Sequence, residues 1–258
     1  MFFLLKSLTI ALAVVSPAVA QLASSSTPAR DEAPPVDAAK QDLTPEQRGD
    51  IMMARKQYRE AAEFYAPAAR TSAVMANKLG IAYHQMMQYD QAQKWYKHAL
   101  KLNPKYGEAI NNLGTVLYAR KKYRSAISQY RKALKLQPYS ASVYSNLGFA
   151  EFARKRYDDA MAAFTKAMQI DPQVFERRTG HGVLLQERNV QAERSRFYFY
   201  LAKAHAQQGT TEKALFYIRK ALEEGFPERD KFQSDEAFAK LREMPEFQDL
   251  MKLEPRVL

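Results

Sequence analysis

The sequence has no cysteine and, in 258 residues, only four histidines and nine glycines. Without cysteine the chain can form no disulfide, thiolate metal site or cysteine nucleophile. The histidines do not have the His-x-x-x-His spacing of a metal-binding helix, and no Walker loop, Gly-x-Ser-x-Gly elbow or dinucleotide fingerprint is present. We therefore expect a protein that is not an enzyme and has no metal or cofactor.

Long apolar runs are scarce, and the one near the start has a specific order. Met1 to Lys6 is short and positively charged, Leu8 to Val15 is apolar, and Ser16 to Ala20 ends in an Ala-x-Ala pattern. This order predicts a signal peptide over residues 1–20, cleaved near Ala20. A membrane anchor is the alternative, but the apolar run is shorter than the roughly 20 residues that a span needs. We expect the mature chain to be exported, periplasmic or secreted, with no transmembrane segment.

Residues 21–43 are rich in alanine, serine, proline and aspartate and contain few large apolar residues. Pro28, Pro34 and Pro35 disfavour regular structure. This composition predicts a flexible linker.

From residue 73 onward the sequence repeats itself every 34 residues. Six features keep this spacing over three copies: Leu79-Gly80, Leu113-Gly114 and Leu147-Gly148; Tyr89, Tyr123 and Tyr157; Ala92, Ala126 and Ala160; Tyr96, Tyr130 and Phe164; Ala99, Ala133 and Ala167; and Pro104, Pro138 and Pro172. Within each copy, apolar residues recur at three- and four-residue steps, which is typical of helices. Each copy holds two such stretches, and a proline ends the second. One helix pair cannot bury its apolar face alone, so neighbouring pairs must stack.

This pattern resembles the tetratricopeptide repeat (TPR), a 34-residue helix-turn-helix, as found in exported bacterial proteins of that family. The resemblance implies an all-α fold, an α-α superhelix or TPR solenoid of about five repeats over residues 44–228. We place the units at about 44–72, 73–106, 107–140, 141–174 and 195–228, with an insertion at 175–194. In the first unit, Pro67 is expected to kink the second helix.

After the last unit, two short helices are expected, from Ser234 to Leu241 and from Pro245 to Leu253. Phe238, Leu241 and Phe247 give them an apolar side. Residues 229–258 would therefore cap the exposed end of the stack.

The resemblance also implies that the first helix of each unit lines a concave groove, in which family members hold extended peptides or partner helices. We predict a peptide-binding groove lined by Asn77, Lys78, Ile81, His84, Asn111, Asn112, Thr115, Tyr118, Ser145, Asn146, Phe149, Phe152, Phe199, Tyr200 and Lys203. Among these, Phe199 and Tyr200 are candidate ligand anchors.

Asparagine is chemically suited to such a groove. Its carboxamide offers a donor and an acceptor, the same pair that a peptide backbone presents at every residue. Asn112 and Asn146 resemble the asparagine ladder of some TPR grooves, including that of the sugar-transferring TPR enzymes, whose catalytic domain is absent here. The alternative is that asparagine is simply tolerated on an exposed helix face.

The sequence does not match a second group of TPR proteins, those that bind chaperones. Chaperone-binding TPR proteins grip an acidic C-terminal tail with a carboxylate clamp of lysine, asparagine and arginine. Lys78 and Asn112 match that pattern, but Ile81 replaces an amide, and Ser142 and Asn146 replace the later basic pair. We therefore do not predict this ligand.

The net charge of +11 is concentrated in the regular units, where residues 73–174 contain sixteen Lys or Arg against six Asp or Glu. Most of the cations lie in the turns and second helices: Arg120, Lys121, Lys122, Arg124, Arg154, Lys155 and Arg156, then Lys94, Lys97, Lys101, Arg131, Lys132 and Lys135. A solvated helix surface explains this equally simply. The sharper interpretation is a basic convex face that docks on an anionic envelope surface or an acidic protein. Export and the lack of a binding motif argue against nucleic acid.

One position departs from the repeat. Glu151 stands where the neighbouring units have Tyr83 and Leu117, and His205 stands there in the last unit. A buried, unpaired carboxylate is costly, so Glu151 must either reach solvent or find a partner.

Two functions remain open from the sequence. The first is a non-catalytic protein-interaction scaffold that binds an extended peptide or partner segment in its groove. The second is a structural subunit of an envelope or secretion complex, docked through its basic convex surface.

Overall fold

The computed structural model describes residues 43–175 and 191–254, and all regular structure in these ranges is helical. Five consecutive helix pairs are followed by a group of short helices. This confirms the predicted fold class, an all-α array of stacked helix-turn-helix units with a C-terminal helical cap. The predicted signal peptide, nearly all of the predicted linker, and residues 176–190 of the predicted insertion lie outside the described residues.

The pairs are α1 with α2, α3 with α4, α5 with α6, α7 with α8, and α9 with α10. Their bounds are Pro45–Ala54 (α1), Tyr58–Tyr65 (α2), Ala73–Gln85 (α3), Tyr89–Leu102 (α4), Gly107–Ala119 (α5), Tyr123–Leu136 (α6), Ala141–Ala153 (α7), Tyr157–Ile170 (α8), Gln191–Gln207 (α9) and Thr211–Glu223 (α10). The cap consists of Asp230–Ser234 (α11), a 3₁₀ turn at Glu236–Phe238, Ala239–Arg242 (α12) and Pro245–Met251 (α13). A further 3₁₀ turn, Ala68–Arg70, follows α2.

Several first helices begin at a side-chain cap. Thr44 forms a capping box with Gln47, because each side chain bonds the other residue's backbone N–H. Ser72 and Ser140 accept backbone N–H groups at the starts of α3 and α7. These caps satisfy amide groups that would otherwise lack partners at the helix ends.

In the first four pairs the two helices approach closely because a glycine on the first helix faces an aromatic ring on the second. A Cβ atom added at Gly114 would lie 2.6 Å from the Tyr130 ring, and one at Gly148 would lie 2.4 Å from the Phe164 ring. Both rings are fully buried. The repeated Leu-Gly and aromatic positions of the sequence are therefore the two sides of one contact.

Neighbouring pairs stack directly on one another. Each second helix packs against the next first helix, as α2 on α3, α4 on α5, α6 on α7 and α8 on α9. First helices also contact each other, α3 with α5 and α5 with α7. The first helices therefore form a row whose side chains can interact across units.

The first unit differs from the expectation at its proline. Helix α2 ends at Tyr65, so Pro67 lies after the helix rather than inside it, and the chain continues as the 3₁₀ turn. Proline lacks the N–H that an internal helix turn requires, which favours a stop over a kink.

The cap also differs from the two expected helices. The segment predicted as one helix from Ser234 is broken at Asp235, whose backbone is extended and whose carboxylate accepts the N–H of Ala237. Asp235 thereby ends α11 and starts the 3₁₀ turn. The apolar side chains keep their predicted role, because Phe238, Leu241 and Phe247 are all buried.

Candidate functional site

A chain of hydrogen-bonded side chains crosses the three first helices α3, α5 and α7. Asparagines two residues and one residue before the repeated leucine supply most of it. The links run from Asn146 Nδ2 to Asn111 Oδ1 (3.1 Å), from Asn111 Nδ2 to Asn112 Oδ1 (3.4 Å), from Asn112 Nδ2 to Asn77 Oδ1 (3.0 Å), and from Asn77 Nδ2 to the Tyr106 hydroxyl (3.5 Å), which donates to Glu108 Oε2 (3.2 Å). We call these six residues the amide chain.

The asparagines predicted to line the groove are buried and bond to neighbouring units. Asn112 and Asn146 are 6% and 2% exposed, and each donates to the preceding unit. Both cross-unit bonds join residues 35 positions apart, which is one repeat plus one residue. In the sequence, the indication of these cross-unit bonds is the presence of two adjacent asparagines at positions 111 and 112. Their observed role is to join adjacent units, because the carboxamides satisfy one another instead of facing solvent.

Three other predicted groove residues belong to repeated aromatic pairs. His84 packs edge-on against Tyr89 (5.4 Å between ring centroids), and Tyr118 and Phe152 pack against Tyr123 and Tyr157 at 5.2 and 5.3 Å. All three are buried. Each therefore fastens the end of a first helix to the start of its own second helix and is not available as groove surface.

His84 is the member of these pairs whose side chain ordinarily titrates near neutral pH. Its Nδ1 atom is buried without a hydrogen-bond partner. Burial disfavours the charged ring and lowers the pKa of His84 from 6.5 to about 4. The ring is therefore neutral at physiological pH.

The remaining central positions are mostly buried. Thr115 donates to the Asn111 carbonyl (3.1 Å), and Ser145 is fully buried. Phe149 is 8% exposed and packs against Phe164 and Phe197, each 5.2 Å away between ring centroids. Ile81 is partly exposed. Of the central positions, only Ile81 and Lys78 leave part of their surface open.

Comparison with family models gave three matches, each described as "Tetratricopeptide repeat". They cover residues 71–138, 111–174 and 195–224. These ranges coincide with the helix pairs α3 to α8 and with most of α9 and α10. The chain belongs to the tetratricopeptide-repeat family.

Solved TPR structures are similar to this TPR protein at low sequence identity. MamA from Desulfovibrio magneticus RS-1, residues 41 to the end, is 20% identical over 68% of this chain and 89% of that chain, with a TM-score of 0.48. YrrB, described as a TPR protein with an unusual peptide-binding site, is 16% identical over 76% and 89%, with a TM-score of 0.45. The first TPR of Spaghetti (RPAP3), bound to the HSP90 peptide SRMEEVD, is 23% identical over 42% and 85%, with a TM-score of 0.40. Comparison with curated proteins gave no match.

At the N-terminal end of the TPR array, Lys78 is held by two carboxylates of α1. Its Nζ lies 2.7 Å from both Glu46 and Asp50, and the Tyr65 hydroxyl also donates to Asp50 at 2.7 Å. Burial opposes ionisation of Asp50, but the bonds from Lys78 and Tyr65 outweigh it and hold its pKa below the ordinary value. The predicted groove lysine is therefore neutralised by acids that sequence reasoning did not assign to the site.

At the other end of the array, the three predicted residues of α9 have different surroundings. Phe199 is 2% exposed and stacks on Phe226 at 4.6 Å, inside the core shared with the cap. It cannot serve as an exposed anchor. Tyr200 is partly exposed and stacks on Tyr157 at 5.0 Å, and Lys203 pairs with Asp235 at 2.6 Å.

The sequence reasoning did not identify the exposed side chains beside the buried asparagines, which we call the rim. Glu108 and Val74 occupy equivalent places, 34 residues apart, in the first turns of α5 and α3, and both are exposed. Tyr106 is partly exposed, and burial, with the charge of Glu108 adding to it, raises its pKa to about 12. The repeat spacing alone could have identified the first-turn position.

Within residues 43–175 and 191–254, no group of three His, Asp or Glu side chains is placed to hold a metal ion. No helix in the same ranges combines the length and hydrophobicity that crossing a bilayer requires.

Proposed function

We propose that this TPR protein is a non-catalytic scaffold that binds an extended segment of a partner protein along its row of first helices. The observation that carries the proposal is the amide chain, which ties α3, α5 and α7 into one continuous polar strip. A strip fixed by internal hydrogen bonds loses little conformational entropy when a ligand binds, which favours affinity.

The ligand contacts lie on the rim of the strip. The amides are too deeply buried to hold a whole peptide backbone by themselves. Tyr106 and Glu108 end the amide chain at the start of α5, and Val74 and the partly open Ile81 lie three and four residues from Asn77 on α3. These side chains offer hydroxyl, anionic and apolar groups. A mixed surface of this kind suits a partner segment that alternates apolar and polar side chains.

The proposal is tested with peptides selected from a displayed random library on the purified chain. We expect Glu108→Arg to weaken the binding of selected peptides by about tenfold or more, since a like or misplaced charge in a contact surface costs heavily. Affinities are measured by fluorescence anisotropy.

The matched control is Asp158→Arg, which makes the same charge change at an exposed residue of the second helix α8. It should leave affinity within about twofold, since charges outside the contact act only through screened long-range fields. If both variants weaken binding equally, or if no peptide is selected, the first-helix surface is not the binding site.

A further inference from the structure

A basic crevice opens on the second-helix side of the third unit, between α6 and the turn that joins α7 to α8. Its volume is about 510 Å³. Ile127 and Ser128 line it together with six cations and no carboxylate: Arg124, Arg131, Lys132, Lys135, Arg154 and Arg156. A second recess, on α4, is lined by the four cations Arg70, Lys94, Lys97 and Lys101, so the crevice on α6 is the more basic of the two.

The cations are arranged along a line. Arg124, Ser128, Arg131 and Lys135 are spaced by four, three and four residues, which places them on one face of α6. The eleven residue steps from Arg124 to Lys135 span about 16 Å at the usual helical rise. That length matches about five residues of extended chain.

Beneath the crevice lies Glu151, the residue that breaks the repeat. It is 1% exposed, and it is paired from two sides: Arg131 Nη2 lies 2.9 Å from its Oε1, and Arg156 Nε lies 3.6 Å from its Oε2. Arg156 also pairs with Asp159 at 2.7 Å. Of the two possibilities that the sequence left for Glu151, solvent or a partner, the structure shows the second, since Glu151 is buried and has cationic partners.

Glu151 orients two guanidinium groups from different elements, through a hydrogen bond to Arg131 and a longer ion pair to Arg156. An arginine has five N–H donors, and the contacts to Glu151 and Asp159 use only some of them. The remaining donors are held in place at the crevice. Arginine forks suit carboxylates geometrically, and Arg131 already makes a charged hydrogen bond to the carboxylate of Glu151.

We propose that this crevice binds an acidic segment of a partner protein, with Glu151 acting as a positioning residue for Arg131 and Arg156. The recess and the linear spacing favour an extended acidic chain over a flat anionic membrane. The site is separate from the first-helix surface, so the two binding events can be tested independently.

The test uses the purified full chain and a fluorescent oligoglutamate peptide of about five residues, which matches the crevice length. Anisotropy is measured at low and physiological ionic strength, with an oligoglutamine peptide and with phosphatidylglycerol vesicles as comparison ligands. We expect binding of oligoglutamate that weakens with salt, and no binding of oligoglutamine.

The site variant is Lys132→Gln with Lys135→Gln, which leaves the Glu151 contacts intact. Its matched control is Lys97→Gln with Lys101→Gln, two exposed lysines that line the less basic recess on α4, one unit earlier. The site variant should lose about tenfold in affinity and the control less than about twofold, because charge-assisted contacts in one recess outweigh general charge. Equal losses, or binding of vesicles without binding of oligoglutamate, would overturn the proposal.

The role of Glu151 is tested with Glu151→Gln. Because this variant has one negative charge fewer, net charge alone predicts tighter binding of oligoglutamate. Loss of the fixed arginine geometry predicts binding that is weaker by about threefold. Unchanged or tighter binding by a variant with native circular dichroism would exclude the positioning role. The first-helix variant Glu108→Arg should bind oligoglutamate at least as well as the wild type, which separates this site from the proposed scaffold surface.

Discussion

At the scale of single residues, the repeat explains most side chains by the contact that each one makes with its own unit. The glycine after each repeated leucine is needed because a tyrosine or phenylalanine ring occupies the space that a Cβ atom would fill, as Gly114 and Tyr130 show. The departures are more informative. His84 stands where the next two units have Tyr118 and Phe152, so a ring that ordinarily titrates near neutral pH replaces tyrosine and phenylalanine in a buried pair.

His84 makes stability depend on pH. Its folded-state pKa of about 4 is below the ordinary 6.5, so the unfolded chain binds more protons between these values. Stability is therefore full above pH 6.5 and falls as the pH drops toward 4, by up to about 3 kcal/mol. His84→Phe, which copies Phe152, should remove this loss. The measurement is the free energy of urea unfolding of both proteins at several pH values, and parallel pH profiles would contradict the prediction.

At the scale of elements, the turns between paired helices share one backbone geometry. Lys56, Met87, Lys121 and Lys155 have φ angles of 58° to 62°, and Gly209 has 72° at the corresponding place in the last unit. This is the left-handed region, which side chains with a Cβ disfavour by about 1–2 kcal/mol. Four of the five turns therefore carry a small strain that the packing of the pairs offsets.

The strain predicts different effects on stability for two substitutions. Gly209→Ala should destabilise the chain by about 1 kcal/mol, because alanine is strained at positive φ and nothing lies near enough to clash. Lys155→Gly should change stability by less than about 1 kcal/mol, since relief of strain is balanced by the greater freedom of glycine in the unfolded chain. Both are measured by chemical denaturation. A Gly209→Ala variant more stable than the wild type would contradict the prediction that the positive φ of this turn disfavours alanine.

At the scale of the whole described array, the stack ends on the cap. Phe232, Phe238 and Phe247 are buried against Phe199 and the second helix α10, in one cluster with Phe226. A repeat array is stabilised mainly by contacts between neighbours, so its last unit depends on whatever covers it. Here α11 to α13 supply that cover.

Truncation after Glu228 should therefore expose the side of the last unit. We expect the free energy of unfolding to fall by about 3 kcal/mol or more, because each buried phenylalanine contributes about 1.5–3 kcal/mol. The truncated chain should also bind an apolar dye. A chain that ends at Glu254 is the control. Equal urea midpoints for the two chains would mean that the cap does not stabilise the array.

The fold was predictable because it depends on residue types at a fixed period: glycine, alanine, aromatic rings and proline every 34 residues permit only stacked helix pairs. The site was less predictable, because polar side chains on a helix can bind a ligand or a neighbouring unit, and the local sequence is the same in both cases. Only the packing of α3, α5 and α7 decided that Asn77, Asn112 and Asn146 bond across units. Packing likewise placed Phe199 in the cap core and Glu151 between two arginines, since these contacts join segments far apart in the chain.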